Sequence, residues 1–393
     1  IEPNLENGVY RLFLPQVANA ANIRKLAIVN TSSTCDFFCT PPACSINNCG
    51  LLTVSEIESA TFTDYSLPEN QGNYLIVTHP FLMQGEVNEV QRYKEYRESE
   101  IGGSYDVQVL NIEELYDQYA YGILKHPWAI TKAITEAVDT WQTPPEYLLL
   151  LGKSVAYNKI RFNNTEFNQC LVPTHGHRAS DTQLVCRSDA TFVPQLAVGR
   201  IPTRTPNDVK NYLDKIIQHE APISCSFEDR TWRKRAIHLA GGQDGEEAEL
   251  FLSYLNNYKS MFEDSIFAGE VVFTYTKADP EVVQIPDLDL LVNDGVGIIN
   301  FVGHGAGLYW DVDMGPPTDY QNTGKYPFIF SSSCYVGNIH ENSNYTSMAE
   351  DYVLAEQLGA IAFIGTIGLG YPTYLNLYTV SYTHLTLPTI GEV

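Results

Sequence analysis

Apolar and polar residues alternate over the first half of the chain in a pattern that predicts strands separated by helices. Apolar runs of strand length lie at Tyr74 to His79, Tyr105 to Ile112 and Tyr147 to Gly152. A polar helical stretch through Glu98 follows the first run. An apolar stripe at helical spacing precedes the third, formed by Ile130, Ala133, Ile134, Ala137, Val138 and Trp141. The alternation predicts an α/β domain, and the nearly all-apolar third run is typical of a strand buried on both faces of a parallel sheet.

The alternation starts again after a predicted helix at Asn207 to Glu220. A second helix is predicted at Glu246 to Met261, and Ser347 with Glu350 forms a capping box that opens a third. We expect this third helix to reach Leu358 and to stop at Gly359. The predicted strands of this half are Arg235 to Gly242, Val271 to Thr276, Gly295 to Gly305, Tyr326 to Gly337 and Ala360 to Gly365. The pattern predicts two α/β subdomains, at residues 71–225 and 226–380.

The two ends of the chain do not share this pattern. Residues 1–70 are rich in Asn, Thr, Ser and Pro, with strand-like pieces at Val9 to Leu14 and Lys25 to Val29. They predict an N-terminal accessory segment or the end of a β-rich prodomain. Ser381 to Thr389 resembles a translated sequencing-adapter tail, so we expect residues 381–393 to be non-native and the natural protein to continue differently. Because the chain begins at Ile1, a signal peptide can already be missing.

Eight cysteines bear on the cellular compartment. Four of them crowd into a stretch without histidine, at Cys35, Cys39, Cys44 and Cys49. This crowding favours a disulfide-stapled loop in an exported protein. A zinc site is the alternative, and the absence of CxxC pairs disfavours it. We expect Cys170 and Cys186 to form a further bridge, which leaves Cys225 and Cys334 unpaired.

Net charge and the length of apolar runs disfavour several classes of partner. The formal charge is −23, from 47 acidic and 24 basic residues, which disfavours binding to nucleic acid or to an anionic membrane surface. No apolar run approaches the roughly 18 to 20 residues that span a bilayer, so membrane insertion is not expected. The oligomeric state is left open.

Two predicted strands of the second subdomain end in reactive side chains. GVGIINFVGHG places His304 where the first apolar run ends, and YPFIFSSSCYVG places Cys334 where the second ends. Taken alone, such a histidine is more often structural and a buried cysteine more often a small hydrophobe. However, Gly303 and Gly305 flank the histidine and let the backbone approach a substrate. Ligands of parallel sheets bind at the carboxyl ends of the strands. The pair therefore predicts a cysteine nucleophile with its base.

These two motifs closely resemble the paired histidine and cysteine motifs of the gingipain-type cysteine peptidases. The resemblance extends to YLLLLG, LAVGRIPTRT and AEDYVLAEQ in the same order, and covers about residues 71–378. It implies the caspase-haemoglobinase fold, a three-layer α/β/α sandwich with a mostly parallel sheet. It also implies a secreted or cell-surface cysteine endopeptidase that acts on proteins or peptides.

The resemblance implies a role for each site residue. Cys334 attacks the peptide carbonyl and forms an acyl-enzyme, while His304 protonates the leaving amine. The backbone N–H groups of Gly305 and Cys334 hold the oxyanion. Two alternatives stay open: a sortase-like transpeptidase of the same family, and a catalytically silent surface or binding protein that kept the fold.

This chain departs from the family pattern at several positions. Gingipains support the histidine with a glutamate just before a Gly-Gly pair, where this chain has Ala240, and Asp244 is a candidate replacement. Glu247 is a candidate acid for a pocket that binds Arg or Lys side chains, although acids in a first helical turn are also simply favourable. Tyr371 matches a pocket-wall tryptophan.

Other motifs carry weaker signals. Lys153 stands where many relatives have an aspartate. Arg200 is predicted to be a buried structural arginine, and His175 and His177 are predicted to lie in a surface loop rather than at a metal. The glycines of LAGGQDG lack the spacing of a dinucleotide-binding loop. No cofactor is required for the expected chemistry and no metal ligands are assigned, although structural calcium is compatible with the excess of acids.

Overall fold

Two parallel sheets form the framework of the protein. In a computed structural model, the described residues are 28–30, 50–52, 62–188, 192–221, 228–264, 267–341 and 346–379. Among them, β1 (Ile28–Asn30) and β2 (Gly50–Leu52) form a short antiparallel pair. The clustered cysteines at positions 35–49, Cys225, the Val9 to Leu14 piece and the 381–393 tail lie outside the described residues.

The first sheet belongs to the first half of the chain. Its strands run parallel in the order β4-β3-β5-β6, namely β3 (Tyr74–Thr78), β4 (Val107–Asn111), β5 (Tyr147–Leu151) and β6 (Ala197–Ile201). The helices of this half are α1 (Glu89–Glu98), α2 (Ile112–Tyr119), α3 (Trp128–Thr140), α4 (Tyr157–Ile160), α5 (Asn164–Gln169), α6 (Asp181–Leu184) and α7 (Pro206–Glu220). Short 3-10 turns lie at Pro68–Asn70 and Pro80–Met83.

Alternate residues of β3 face opposite layers of helices. Leu75 and Val77 pack in one apolar cluster with side chains of α2 and α3, whereas Ile76 packs in another with side chains of α1 and α7. Because successive strand residues point to opposite faces, the continuous apolar run buries both faces of the sheet. The predicted three-layer α/β/α arrangement is confirmed.

The second sheet repeats this arrangement with five parallel strands. Their order is β13-β12-β10-β7-β8, while β9 (Val283–Gln284) and β11 (Val312–Asp313) pair separately. The five strands are β7 (Arg235–Ala240), β8 (Glu270–Thr276), β10 (Ile298–Val302), β12 (Phe328–Ser332) and β13 (Ala362–Ile364). The helices are α8 (Glu228–Thr231), α9 (Gly245–Phe262), α10 (Leu288–Asp294) and α11 (Met348–Leu354), with helical residues 372–379 and 3-10 turns at Trp232–Lys234 and Pro317–Asp319.

Helix α9 covers one face of the second sheet. Val302 and Ala240 pack against Phe251 and Leu255 of α9, and Ile299 packs on the other face with side chains of α10 and α11. The order of strands along the sheet reverses between β7 and β10, since β8 lies on one side of β7 and the later strands on the other. A crevice at the carboxyl ends of such a pair is the usual ligand site of an open α/β sheet.

One helix boundary differs from the sequence prediction. Helix α11 ends at Leu354, four residues before the predicted Leu358, and Gln357 adopts a left-handed φ of 55°. Gly359 also has a positive φ, 76°, and its N–H donates to Oδ1 of Asn322 at 3.1 Å. The prediction that Gly359 stops the helix is therefore wrong; this glycine forms the turn that leads into β13.

The expected disulfide between Cys170 and Cys186 is also wrong. Both thiols are free and buried. Cys170 lies at the end of α5 in an apolar cluster with Val155 and Ile160, while Sγ of Cys186 lies 3.3 Å from the carbonyl oxygen of Thr182. Burial raises the pKa of both thiols, which fits unreactive core cysteines.

Candidate active site

His304 and Cys334 lie at equivalent positions beyond two adjacent strands. Strands β10 and β12 pair in parallel with Val302 opposite Ser332, and each candidate residue comes two positions later. The N–H of Gly303 donates to the carbonyl oxygen of Ser332 at 3.3 Å, so the alignment continues past the strand ends. Because neighbouring strands are about 4.8 Å apart, the two residues occupy one edge of the sheet.

Gly305 packs directly on the backbone that carries the thiol. A Cβ added at Gly305 would lie 2.7 Å from the carbonyl oxygen of Cys334 and 2.7 Å from Oγ of Ser333. A side chain at this position would therefore push the two loops apart. Within the described part of the chain, the N–H groups of Gly305 and Cys334 have no protein acceptor, so both remain available to a ligand.

The loop after β13 covers the thiol from the other side. The N–H of Gly370 points at Sγ of Cys334 with a separation of 3.3 Å. The residue after the cysteine, Tyr335, has a left-handed φ of 62°, and its N–H donates to the carbonyl oxygen of Gly368 at 2.9 Å. A bulky residue in this region of φ is rare and costs free energy, so the surrounding loops hold the sharp turn at Cys334.

Glu247 supplies a carboxylate to His304. Its Oε2 lies 3.1 Å from Nε2 of His304 and accepts the N–H of Gln243 at 2.9 Å. The Gln243 N–H, and then the contact with His304, hold the pKa of Glu247 below its ordinary value. The side chains of Glu247 and His304 are 37% and 41% exposed, so the pair lines an open surface rather than a closed core.

Helix α9 positions this carboxylate through its N-terminus. Asp244 is the N-cap, and its Oδ1 accepts the N–H of Glu247 at 2.9 Å. One turn later, the ring of Phe251 meets the ring of His304 edge-on at 6.0 Å. The hypothesis that Asp244 replaces the missing acid is corrected: the acid against His304 is Glu247, and Asp244 caps the helix that carries it.

A buried carboxylate beneath the site was not found by sequence reasoning. Asp311 follows the buried Trp310 in the segment after His304, and its Oδ2 accepts the N–H of Gly242 at 3.0 Å. Nζ of Lys277 lies 3.5 Å from the same oxygen. Its place shortly after the histidine motif is the one local signal that could have marked Asp311, whereas Lys277 follows β8, distant in sequence, and no local pattern marks it.

Residues 67–393 match the family described as Peptidase family C25. The chain belongs to this family of cysteine peptidases. The match covers both sheets and every element of the site, from β3 to the loop before the helical residues 372–379.

Similar proteins include gingipains of Porphyromonas gingivalis. Gingipain R2 is 26% identical over 152 residues, which make up 37% of this chain and 19% of the relative. Lys-gingipain HG66 is 20% identical over 181 residues, 45% of this chain and 10% of the relative. The matched part of this chain thus spans a fifth or less of the length of these two curated relatives.

Solved structures show the same fold at low identity. The crystal structure of the Arg specific cysteine proteinase gingipain R (RGPB) matches with a TM-score of 0.61 and 15% identity, covering 82% of this chain and 68% of the other. A complex of Porphyromonas gingivalis RgpB pro- and mature domains gives a TM-score of 0.62 at 15% identity, with 80% and 68% covered. The likeness supports the caspase-like α/β sandwich.

The predicted substrate residues lie at the border of the site. Tyr371 directly follows Gly370, the neighbour of the thiol, and is 64% exposed. Glu247 is occupied by Gln243 and His304, so its carboxylate is not a free pocket acid in this structure. The assignment of Glu247 and Tyr371 to substrate binding stays a prediction.

The remaining sequence predictions concern structure and metals. Arg200 is a buried structural arginine as expected: its side chain is 2% exposed and forms an ion pair with Asp181 at 2.7 Å. In the described ranges, no group of three His, Cys, Asp or Glu side chains could hold a metal ion, and structural calcium stays a prediction. None of the helices in those ranges is long and apolar enough for a bilayer crossing.

Proposed function

We propose that this protein is a secreted cysteine endopeptidase with Cys334 as its nucleophile. The observation that carries the proposal is the triple arrangement at one sheet edge. Cys334 and His304 end adjacent parallel strands, and Glu247 contacts the imidazole at 3.1 Å. A nucleophile, a base and an acid that orients the base are the parts that acyl transfer requires.

The reaction begins with attack of the Cys334 thiolate on the carbonyl carbon of a peptide bond. The new S–C bond forms a tetrahedral intermediate, whose oxyanion accepts the N–H groups of Gly305 and Cys334. The C–N bond then breaks, and the proton held by His304 passes to the leaving amine. Water, deprotonated by His304, attacks the thioester carbonyl; the S–C bond then breaks, the acid product leaves, and the Cys334 thiolate returns with the proton on His304.

Two features of the site assist this sequence. The Glu247 carboxylate contacts Nε2 of His304 at 3.1 Å and so fixes the orientation of its ring. Gly370 directs an N–H toward Sγ of Cys334 at 3.3 Å, so the loop after β13 holds the sulfur in place. Protein or peptide chains are the proposed substrates, and the exposed Tyr371 at the rim of the site would contact their side chains.

The test is hydrolysis of a panel of peptidyl substrates by the reduced protein. We expect complete loss of turnover in Cys334→Ala and retention in Cys186→Ala, a matched change at a buried thiol of the first subdomain. Activity that survives in Cys334→Ala would contradict the proposal. Acyl transfer to an added amine, in place of hydrolysis, would indicate the transpeptidase, and an inactive but folded wild type would indicate the silent alternative.

A further inference from the structure

The side chain of Asp311 lies at the meeting point of three strand ends. Asp311 is 8% exposed and belongs to the segment between β10 and β11. Gly242 follows β7, Lys277 follows β8 and Gly303 follows β10, and each of the three lies against the Asp311 carboxylate. The reaction proposed above does not use this group.

Asp311 binds the two loops that carry the Glu247 and His304 pair. Its Oδ2 accepts the N–H of Gly242 at 3.0 Å, and its own backbone N–H donates to the carbonyl oxygen of His304 at 2.9 Å. One residue therefore fixes the main chain of the histidine and the main chain that enters α9.

Two glycines make room for this carboxylate. A Cβ at Gly241 would lie 2.2 Å from Oδ1 of Asp311, and a Cβ at Gly303 would lie 2.9 Å from the same atom. Main chain therefore packs on both sides of the carboxylate, which leaves it little freedom to move. Oδ1 itself has no hydrogen-bond partner in the described part of the chain. Burying such an oxygen costs free energy, so a role beyond filling space is expected.

Two short series of contacts connect Asp311 to the imidazole of His304, one through the loop after β7 and one through the loop after β10. Gly242 is followed by Gln243, whose N–H holds Oε2 of Glu247, the oxygen that contacts His304. On the other side, the carbonyl of His304 is held by Asp311 directly. A shift of either loop would change the distance between Glu247 and His304.

We propose that Asp311 is a positioning residue for this peptidase, holding the loops after β7 and β10 so that Glu247 meets His304. The inference rests on the proposed function for its kinetic consequences. The alignment of Glu247 with His304 can be measured without any peptidase activity.

The alternative role for Asp311 is to neutralise the charge of Lys277. Nζ of Lys277 lies 3.5 Å from Oδ2 of Asp311 and also donates to the carbonyl oxygen of Gly242 at 3.0 Å. If Asp311 served only to neutralise this ammonium, removing both charges together would restore the enzyme. If Asp311 positions the loops, activity depends on its acceptor for the N–H of Gly242. The double variant lacks this acceptor, so its activity would not be restored.

The experiment compares Asp311→Leu, Asp311→Asn and the double variant Asp311→Leu with Lys277→Met. Leu keeps the volume without an acceptor, and we expect kcat to fall about 100-fold with KM within about twofold, as a misplacement near 1 Å can cost. Asn keeps one acceptor oxygen, so we expect partial rescue, with about a 10-fold loss. The double variant should stay as inactive as Asp311→Leu. Asp313→Asn is the control and should match wild type, because among the described residues the Asp313 side chain accepts the nearby N–H of Gly315 and no other.

A readout without catalysis separates this inference from the proposed function. NMR can follow the titration of the Glu247 carboxyl group. Its pKa depends on the N–H of Gln243 and on the neighbouring side chains of His304 and Asp244. We expect it to move toward higher pH in Asp311→Leu and to stay unchanged in Asp313→Asn. If the wild type lacks peptidase activity but the Glu247 titration still moves in Asp311→Leu, only the proposed function fails. If kcat and the titration both stay unchanged, or if the double variant regains activity, Asp311 is not a positioning residue.

Discussion

Glu247 contacts His304 because the capping of one helix fixes the direction of a single side chain. The carboxylate lies at the third residue of α9, where the N-cap Asp244 holds its N–H and Gln243 donates to its Oε2. Both hydrogen bonds are local, so the carboxylate is positioned before any substrate arrives. Preorganised groups of this kind contribute more to catalysis than flexible ones.

The change Glu247→Gln tests this support. We expect kcat/KM to fall about 10- to 100-fold, the usual effect of removing a partner that orients a functional histidine. In wild type, the lowered pKa of Glu247 keeps the carboxylate ionised below the ordinary range of glutamate, and the contact is lost as pH falls through that lowered value. Glutamine at position 247 does not ionise, so the fall in activity of the variant at low pH should lack the contribution from this carboxylate.

Glu249→Gln is the matched control for Glu247→Gln. It makes the same change two positions further along α9, where a residue faces a different side of the helix and is exposed. Its pH profile should follow wild type. Equal effects of the two changes would mean that the net charge of α9, rather than the contact with His304, controls activity.

Local patterns in the sequence predict the reactive residues but not their partners. His304 and Cys334 could be found because each interrupts an apolar run with small residues. Asp311 and Lys277 act through contacts between segments 34 residues apart, and no local pattern marks such a pair. Glu247 was noticed as an acid of a first helical turn, but only the fold shows that β10 delivers His304 to it.

At the scale of elements, α11 connects the two reactive loops. The N–H of Met348 donates to the carbonyl oxygen of Gly307 in the histidine loop at 2.9 Å, and that of Ala349 to the carbonyl oxygen of Val336 in the cysteine loop at 3.2 Å. These are free donors of the first helical turn, which always need acceptors outside the helix. The N-terminus of α11 therefore holds both loops in register.

Ser347→Ala tests the capping box that starts α11. The side chain of Ser347 is fully buried and accepts the N–H of Glu350, so we expect unfolding free energy to fall by about 1 to 2 kcal/mol. Thr205→Ala removes the equivalent cap of α7, whose hydrogen bonds are exposed, and should cost about 1 kcal/mol or less. Urea denaturation measures both.

The two caps should differ in their effect on activity. Only Ser347 starts the helix whose first N–H groups bind the reactive loops, so Ser347→Ala should also lower kcat. Thr205→Ala should leave kcat unchanged. Equal kcat values in the two variants would contradict a connecting role for α11.

Apolar runs predict most strands of the two large sheets, including three of their four edge strands. Apolar residues predominate in the strands that were predicted, which are β3, β4, β5, β7, β8, β10, β12 and β13. Strand β6 was not recognised, since Gly199 and Arg200 interrupt its apolar run at the sheet edge. The end of α11 was misplaced because Asn322, distant in sequence, binds the N–H of Gly359.

Across the whole molecule, buried lysines of the first subdomain bind the second. Nζ of Lys215 on α7 donates to the carbonyl oxygens of Tyr352, Val353 and Ala360 at 2.8 to 3.2 Å. Lys153, which follows β5, contacts Glu350 of α11 at 2.5 Å and the carbonyl oxygen of Ile339 at 2.8 Å. These contacts hold α11, and through it the reactive loops, against the first sheet.

Lys153 is a charged group buried at the interface between the two subdomains. Burial lowers the pKa of Lys153 to about 8 even though the Glu350 carboxylate opposes that change. The ammonium is thus costly to bury and is kept where it binds two groups of the other subdomain. Glu350 in turn accepts Nη2 of Arg204 at 2.9 Å, so one carboxylate of α11 collects two cations of the first subdomain.

Lys153→Met should therefore destabilise the protein through the interface between its subdomains. The side chains of Lys153 and Glu350 are 1% and 0% exposed, and breaking such a buried pair costs about 3 kcal/mol, since Glu350 keeps Arg204 but loses its nearer counter-ion. Arg187→Gln breaks a pair with Asp139 whose side chains are 53% and 46% exposed, and should cost less than about 1 kcal/mol. Urea denaturation of both variants compares the two losses. If Lys153→Met costs no more than Arg187→Gln, the contacts of Lys153 do not stabilise the interface between the subdomains, and α11 is held there by its other contacts, such as those of Lys215.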